Sequence, residues 1–331
     1  MSILIKEEII ANHNNSAIIE YQLIAKNGFQ VNILNYGGII RAIYTHDKNQ
    51  QLANIIVTNS VFNPQNPGHA GAITGPIAGR IANGKFKLED KEYQLELNNG
   101  KHSLHGGNNS LDKQIWQVSR LDDGIRLQYT TFDGESGFPG IINFVVDYRI
   151  TGNNQLSLNY EATTDHETIV NLTNHSYFDL SCGRDPMGQE LCVNANYFGA
   201  IDENELLFTG KLISVTDTPF DFRKPKPIRQ DIDKPDAQLK LGGGYDHPFV
   251  LDSDKKIMLS DPHSHRYLEV FTTDPICVIY SANNFQPPRC AVCLETQKMP
   301  NAINLPEYKN QVIIDHTNKY ISKTIWQFGV K

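Results

Sequence analysis

The sequence has no excess of basic residues, few cysteines and no long apolar run. Lysine and arginine together number 30 against 37 aspartates and glutamates, a formal charge of -7. A chain that must neutralise nucleic-acid phosphates needs the opposite balance, so a nucleic-acid partner is disfavoured. The longest apolar stretches are a few residues, far short of the ~20 that cross a bilayer as a helix, and no membrane partner is expected. The N-terminal stretch Met1-Ser2-Ile3-Leu4-Ile5-Lys6-Glu7-Glu8 carries an early acidic pair and no apolar h-region, so it does not read as a signal peptide. Five cysteines (Cys182, Cys192, Cys277, Cys290 and Cys293) make an odd set in a chain of 331 residues. They suit reduced thiols in a cytoplasm better than a disulfide framework. The usual GxSxG, HExxH and phosphate-loop strings are absent, and no cofactor motif is present.

The dominant period is two. Lys85 to Glu89 and Glu92 to Leu97 alternate around Asp90-Lys91, and Trp116 to Arg120 and Ile125 to Tyr129 flank Asp122-Asp123-Gly124. Phe144 to Ile150 and Gln155 to Tyr160 flank Gly152-Asn153-Asn154, and Lys256 to Leu259 and Tyr267 to Phe271 flank a turn around Asp261 to Ser264. Each pair predicts a hairpin of half-buried strands. Long amphipathic helices are missing. Short helical turns are predicted near Leu206 and from Pro227 to Ile232. No repeat or low-complexity linker divides the chain. The architecture this predicts is all-β, a large antiparallel sandwich or barrel. A folded chain of this mass exposes about 13,700 Å² and buries roughly three quarters of its unfolded surface. Length alone suggests about two domains, although all-β chains often exceed that prior as one unit.

Four segments place polar or ionisable residues where a plain sandwich wants apolar ones. In Asn99 to Gly107, Gly106 and Gly107 let the backbone turn beside His105, which makes it either a site histidine or a surface loop histidine. In Ile169 to Phe178, read as one strand, Asn171, Thr173, His175 and Tyr177 share a face, which suits a binding groove or a solvated sheet. Gly242-Gly243-Gly244-Tyr245-Asp246-His247-Pro248 has the wrong spacing for a phosphate loop, and Asp246 there serves a site or a turn. In Ala291 to Gln297, Glu295 interrupts a β-prone apolar run, at a strand edge or in a site that perturbs its pKa. Cys290-Ala291-Val292-Cys293 is a lone CxxC without a second pair, a poor zinc motif. One of its thiols reads instead as a small buried hydrophobe. His263-Ser264-His265 sits in a hairpin turn and reads as surface.

Taken together the chain resembles the aldose 1-epimerase (galactose mutarotase) family over nearly its whole length. Seven strings carry the resemblance, in order: Asn35-Tyr36-Gly37-Gly38, Ala78-Gly79-Arg80-Ile81-Ala82, Leu104-His105-Gly106-Gly107, Gly137-Phe138-Pro139-Gly140, Asn171 through Phe178, Tyr245-Asp246-His247-Pro248 and Leu294-Glu295-Thr296-Gln297. The resemblance implies a β-supersandwich with a sugar groove on a concave face. It also implies exchange of the α and β anomers of free hexoses such as galactose and glucose, with no cofactor and no metal. Residue by residue, it implies Glu295 as general base, His175 as general acid and His105 as a second histidine near the ring oxygen. Arg80, Asp246 and Tyr177 would then be sugar contacts. Family members often read GRxANR where this chain has Gly75-Pro76-Ile77-Ala78-Gly79-Arg80, a departure that bears on substrate preference.

The chemistry fits those residue types. Opening a hemiacetal removes the C1-hydroxyl proton and delivers one to the ring oxygen, which suits a carboxylate and an imidazolium. If close, the two charges are expected to lower the pKa of the base and raise that of the acid. A hexose-phosphate 1-epimerase would need converging cations, and arginines are sparse beside these strings. A sugar-binding module would need no acid–base set. The implied site runs from Arg80 to Glu295, so a boundary between them would divide it, and residues 1–331 read as one domain. The edge-rich β surface leaves monomer and homodimer open.

Overall fold

Two large antiparallel sheets face each other and a smaller one flanks them in the computed structural model, which describes residues 3–203, 206–254 and 256–331. Met1 and Ser2 of the N-terminal reading lie outside the described residues. Among those residues, nine strands form the largest sheet, with Tyr320–Val330 at its centre between Gln155–Thr164 and Arg266–Thr272. The central strand shows why this sequence folds as β. Tyr320, Ser322, Thr324, Trp326 and Phe328 are buried, while Lys323 and its alternate neighbours turn outward. That is the period of two expected of a half-covered sheet. Burial of a side chain the size of Trp326 stabilises by about 3–5 kcal/mol over alanine.

The six-stranded sheet runs in the order Tyr177–Phe178, Val292–Gln297, Ile276–Tyr280, Asp246–Val250, Tyr197–Ile201 and Phe208–Ser214. Its inner face packs on the large sheet. Phe178 meets Trp326 edge-on with ring centroids 4.9 Å apart, and the hydroxyls of Thr296 and Thr324 lie 2.6 Å apart. A five-stranded meander from Leu4 to Asn54 flanks the pair. It packs Phe29 on Phe328, and its Gly38 carbonyl accepts from the Tyr148 hydroxyl. The exposed surface is 13628 Å², the value a compact chain of this mass should show.

All four predicted hairpins form, with antiparallel pairing. One turn slips by a residue: Leu88 pairs with Lys91, so Glu89 and Asp90 make the connection, Glu89 taking the left-handed backbone. Two helical expectations need correction. Leu206 itself lies in a bend at φ 63°, and residues 204–205 of the turn expected there lie outside the described residues. Among the described residues the one α-helix is Ala237–Gly242, which the sequence reading did not include and which ends at the glycine run. Asp236 caps it by accepting from the N–H groups of Gln238 and Leu239, and Gly243 ends it in the left-handed conformation. The turn predicted from Pro227 to Ile232 is a 3-10 helix at Ile228–Gln230.

Segment 171–178 is not one strand. Thr173–Asn174 pairs with Ile73–Thr74, and Tyr177–Phe178 pairs with the Val292–Gln297 strand. All of its residues are buried, so the solvated-face reading falls away.

Candidate active site

Register on the six-stranded sheet assembles one wall of a cavity. Glu295 pairs with Val278, Cys293 pairs with both Tyr280 and Tyr177, and Asp246 pairs with Tyr280. Residues opposite one another across a ladder point to the same side, so Tyr177, Asp246, Tyr280 and Glu295 share the outer face. Glu295 is therefore inside the sheet and not at its edge. Loops bring Gly68-His69, Gly79-Arg80, His105 and His175 over this face, and the space between is a cavity of about 300 Å³, at the small end of ligand pockets.

His175 is fixed by its backbone. Its N–H donates to the Ala72 carbonyl and its carbonyl accepts from the Gly71 N–H, both at 2.9 Å. Its Nε2 lies 3.4 Å from Oε1 of Glu295, with both side chains nearly inaccessible. On the other side of the ring, Nδ1 is 3.5 Å from Cys293 Sγ. Burial pushes the Cys293 thiol well above its ordinary range, so it is a thiol and packs as the small buried group expected of this pair.

His105 takes a left-handed backbone, φ 51°. Its N–H donates to the Gly79 carbonyl, and its Nδ1 accepts from the Gly79 N–H at 3.2 Å. The neutral ring therefore carries its hydrogen on Nε2. Gly106, next in sequence, could not be another residue: at φ 93° a Cβ would stand 2.2 Å from the Gly75 carbonyl oxygen. At Gly79, φ 78°, a Cβ would meet Pro300 at 3.0 Å, so Pro300 covers the place of a side chain there.

The ionisation directions run against the expectation for the Glu295–His175 pair. Burial raises Glu295 well above its ordinary value, with the Asp246 charge adding to it and Arg80 opposing. Burial also lowers His175 to about 3, helped by His69. Loss of solvation outweighs the mutual attraction, because the two side chains are only 4% and 7% exposed. Both shifts thus favour the uncharged forms of the two groups. Burial likewise lowers His105, with His69, His175 and Arg80 adding to it, and burial raises Asp246.

The structure brings all six residues implied by the sequence to one cavity. Arg80 is steadied by its Nε donating to Asn99 Oδ1 at 3.0 Å. Tyr177 stacks on His175 with centroids 5.0 Å apart, and its hydroxyl donates to the Gly68 carbonyl at 2.8 Å. Its oxygen is left to accept. His69, Tyr280 and Gln297 also line the space and were not singled out in the sequence. His105, His175 and Glu295 each offer one ligand atom within 4.8 Å of the others, so a divalent cation could be held there. Arg80 is the one lysine or arginine among the described lining residues.

Comparison with known proteins places the fold and the family. The aldose 1-epimerase family model matches residues 20–327. A galactose mutarotase of Sus scrofa is 32% identical with 96% of each chain covered, and an aldose 1-epimerase of Haemophilus influenzae is 33% identical over 88% of this chain and 90% of its own. The crystal structure of a galactose 1-epimerase from Lactobacillus acidophilus superposes with a TM-score of 0.88, at 28% identity and 99% coverage of both chains. With a family model matched over nearly its whole length and relatives more than 30% identical across it, the chain belongs to the aldose 1-epimerase family of isomerases.

Proposed function

We propose that this enzyme interconverts the α and β anomers of free hexoses such as galactose and glucose, with Glu295 as base and His175 as acid. One observation carries the reading: a carboxylate and an imidazole 3.4 Å apart, buried in a sugar-sized cavity. In the opening step the Glu295 carboxylate takes the C1-hydroxyl proton. His175 gives its Nε2 proton to the ring oxygen as the C1–O5 bond breaks and the C1 carbonyl forms. After rotation about C1–C2 the step reverses on the other face. His175 takes back the O5 proton, O5 attacks C1, and Glu295 returns a proton to O1. The enzyme ends as it began, and each transfer is worth roughly 10²–10⁴-fold. His105 presents Nε2–H toward the sugar. Arg80 and Asp246 bind hydroxyls, and Tyr177 backs the His175 ring.

The site draws on segments from Gly68 to Gln297, which supports residues 1–331 as one working unit. None of the five cysteines is paired, which supports a reducing cytoplasm. No helix of the described residues is long and apolar enough to cross a membrane. A phosphate-bearing substrate fits less well, since Arg80 alone would meet it. Polarimetry of freshly dissolved α-galactose tests the assignment. Rapid exchange by the wild type and at least a hundredfold loss in His175→Asn are expected. Comparable rates on glucose 6-phosphate would refute the preference for free sugars.

A further inference from the structure

His69 takes no part in the reaction as assigned, yet the fold goes to some length to aim it. It ends the turn Pro67–His69 with a left-handed backbone, φ 53°. Its Nδ1 lies 2.9 Å from Oδ2 of Asp112, which is wholly buried. The Ser110 hydroxyl donates to the other carboxylate oxygen. Burial pushes Asp112 up, but the bonds from His69 and Ser110 outweigh it and hold the carboxyl below its ordinary range. An anionic acceptor fixes the hydrogen of His69 on Nδ1 and leaves Nε2 as the free end of the ring. Among the described residues no hydrogen bond reaches Nε2, and the ring lines the cavity.

The ring stands at one side of the pocket. Its centroid is 4.7 Å from that of His105 and 6.1 Å from that of His175. Asp246 and Glu295 belong to neighbouring positions of the sheet wall, whereas His69 stands beside the two histidines that the loops bring over it. In a pyranose the ring oxygen lies between C1 and C5. A pyranose with C1 at Glu295 and O5 at His175 would carry C5 and its substituent beyond the His175 ring, and His69 is the lining histidine with an unused ring nitrogen there.

We propose that His69, held by Asp112, is a specificity-determining residue that bonds the C6 hydroxyl of a hexose. It rests on the epimerase reading, which sets C1 at Glu295. Neutral Nε2 accepts the hydroxyl hydrogen, and a protonated ring donates to the oxygen.

The test compares galactose, 6-deoxygalactose, which lacks only the C6 hydroxyl, and L-arabinose, which keeps the C2–C4 stereochemistry without C6. The wild type is expected to favour galactose over the other two by about tenfold in kcat/KM, the effect of one lost hydrogen bond. His69→Asn is the suitable variant, because asparagine accepts a left-handed backbone. Galactose should lose about tenfold, mainly through KM, while the other two change less than twofold. Equal factors for all three sugars, or no change for galactose, would overturn the proposal. If His69→Asn does not fold, the wild-type panel decides alone, and equal kcat/KM across it overturns the assignment. A wild type that exchanges none of the three sugars would sink the epimerase reading separately. Calorimetric Kd values would then decide for His69: tenfold weaker binding of 6-deoxygalactose upholds it and equal binding refutes it.

Discussion

Replacing Glu295 with glutamine should remove activity and stabilise the protein at alkaline pH. The amide keeps the shape of the carboxyl and can accept from His175 Nε2 across the 3.4 Å gap, but it takes no proton. Loss of the base should lower kcat by about 10²–10⁴-fold. The stability effect follows from burial, which raises the folded pKa of Glu295 above its unfolded value. Between those two values the folded state binds the extra proton. The favourable contribution is therefore full below the unfolded pKa and is lost as pH rises through the folded one. The rise therefore costs the wild type stability at alkaline pH, read as a Tm lower by on the order of a few °C. Glutamine escapes the cost. Wild type and Glu295→Gln should melt together near pH 4 and separate in favour of the variant by pH 8. Polarimetry and thermal unfolding at both pH values measure the two halves. A folded Glu295→Gln with near-wild-type turnover would refute the base, and a variant less stable than wild type at pH 8 would refute the burial argument.

His105→Asn should fold, since asparagine tolerates its φ of 51°, and should lose at least a hundredfold in kcat/KM; unchanged polarimetry would reduce His105 to scaffold. Tyr177→Phe keeps the stack on His175 and loses the bond to the Gly68 carbonyl. It should cost about 1 kcal/mol in denaturant unfolding and under tenfold in turnover. Chelation by EDTA should leave the rate unchanged, because the proposed proton transfers need no metal. Added Zn2+ should inhibit in competition with sugar by occupying His105, His175 and Glu295. Noncompetitive inhibition in steady-state kinetics would place the ion elsewhere.

Hairpins were the most legible part of the fold because both signals are local: alternation fixes the face, and a short polar pair such as Asp122-Asp123 fixes the turn. The helix Ala237–Gly242 was hidden because six residues cannot display a 3.6-residue period and its two ends carry it. In segment 171–178 the polar residues were visible, but their task was not. Asn171 exchanges hydrogen bonds with the backbone of Lys298, and Asn174 donates to the Gly71 carbonyl. They tie loops together inside the protein, and a sequence cannot distinguish that from a wet sheet face. The site residues were legible through the strings they sit in. His69 had no such signal, since what makes it noteworthy is Asp112, 43 positions away in sequence.

The inverted pKa directions suit a reversible isomerase better than the expected ones would. In water a proton shared by a glutamate and a histidine belongs on the imidazole by about two pKa units. A pair locked in that charged form would close a sugar readily and open it poorly, because opening gives the carboxylate a proton and takes one from the imidazolium. Burial acts on both members against their charged forms, raising Glu295 and lowering His175, and so erodes the preference. Among the neighbours, Asp246 adds to the rise of Glu295 and His69 to the fall of His175, while Arg80 and Asp112 oppose them without reversing either direction. Both shifts move the pair's proton from His175 toward Glu295, the placement reached once the ring is open, and so favour the opening step. Desolvation by the sandwich, set by where Glu295 falls on an inner strand of the sheet, supplies that bias.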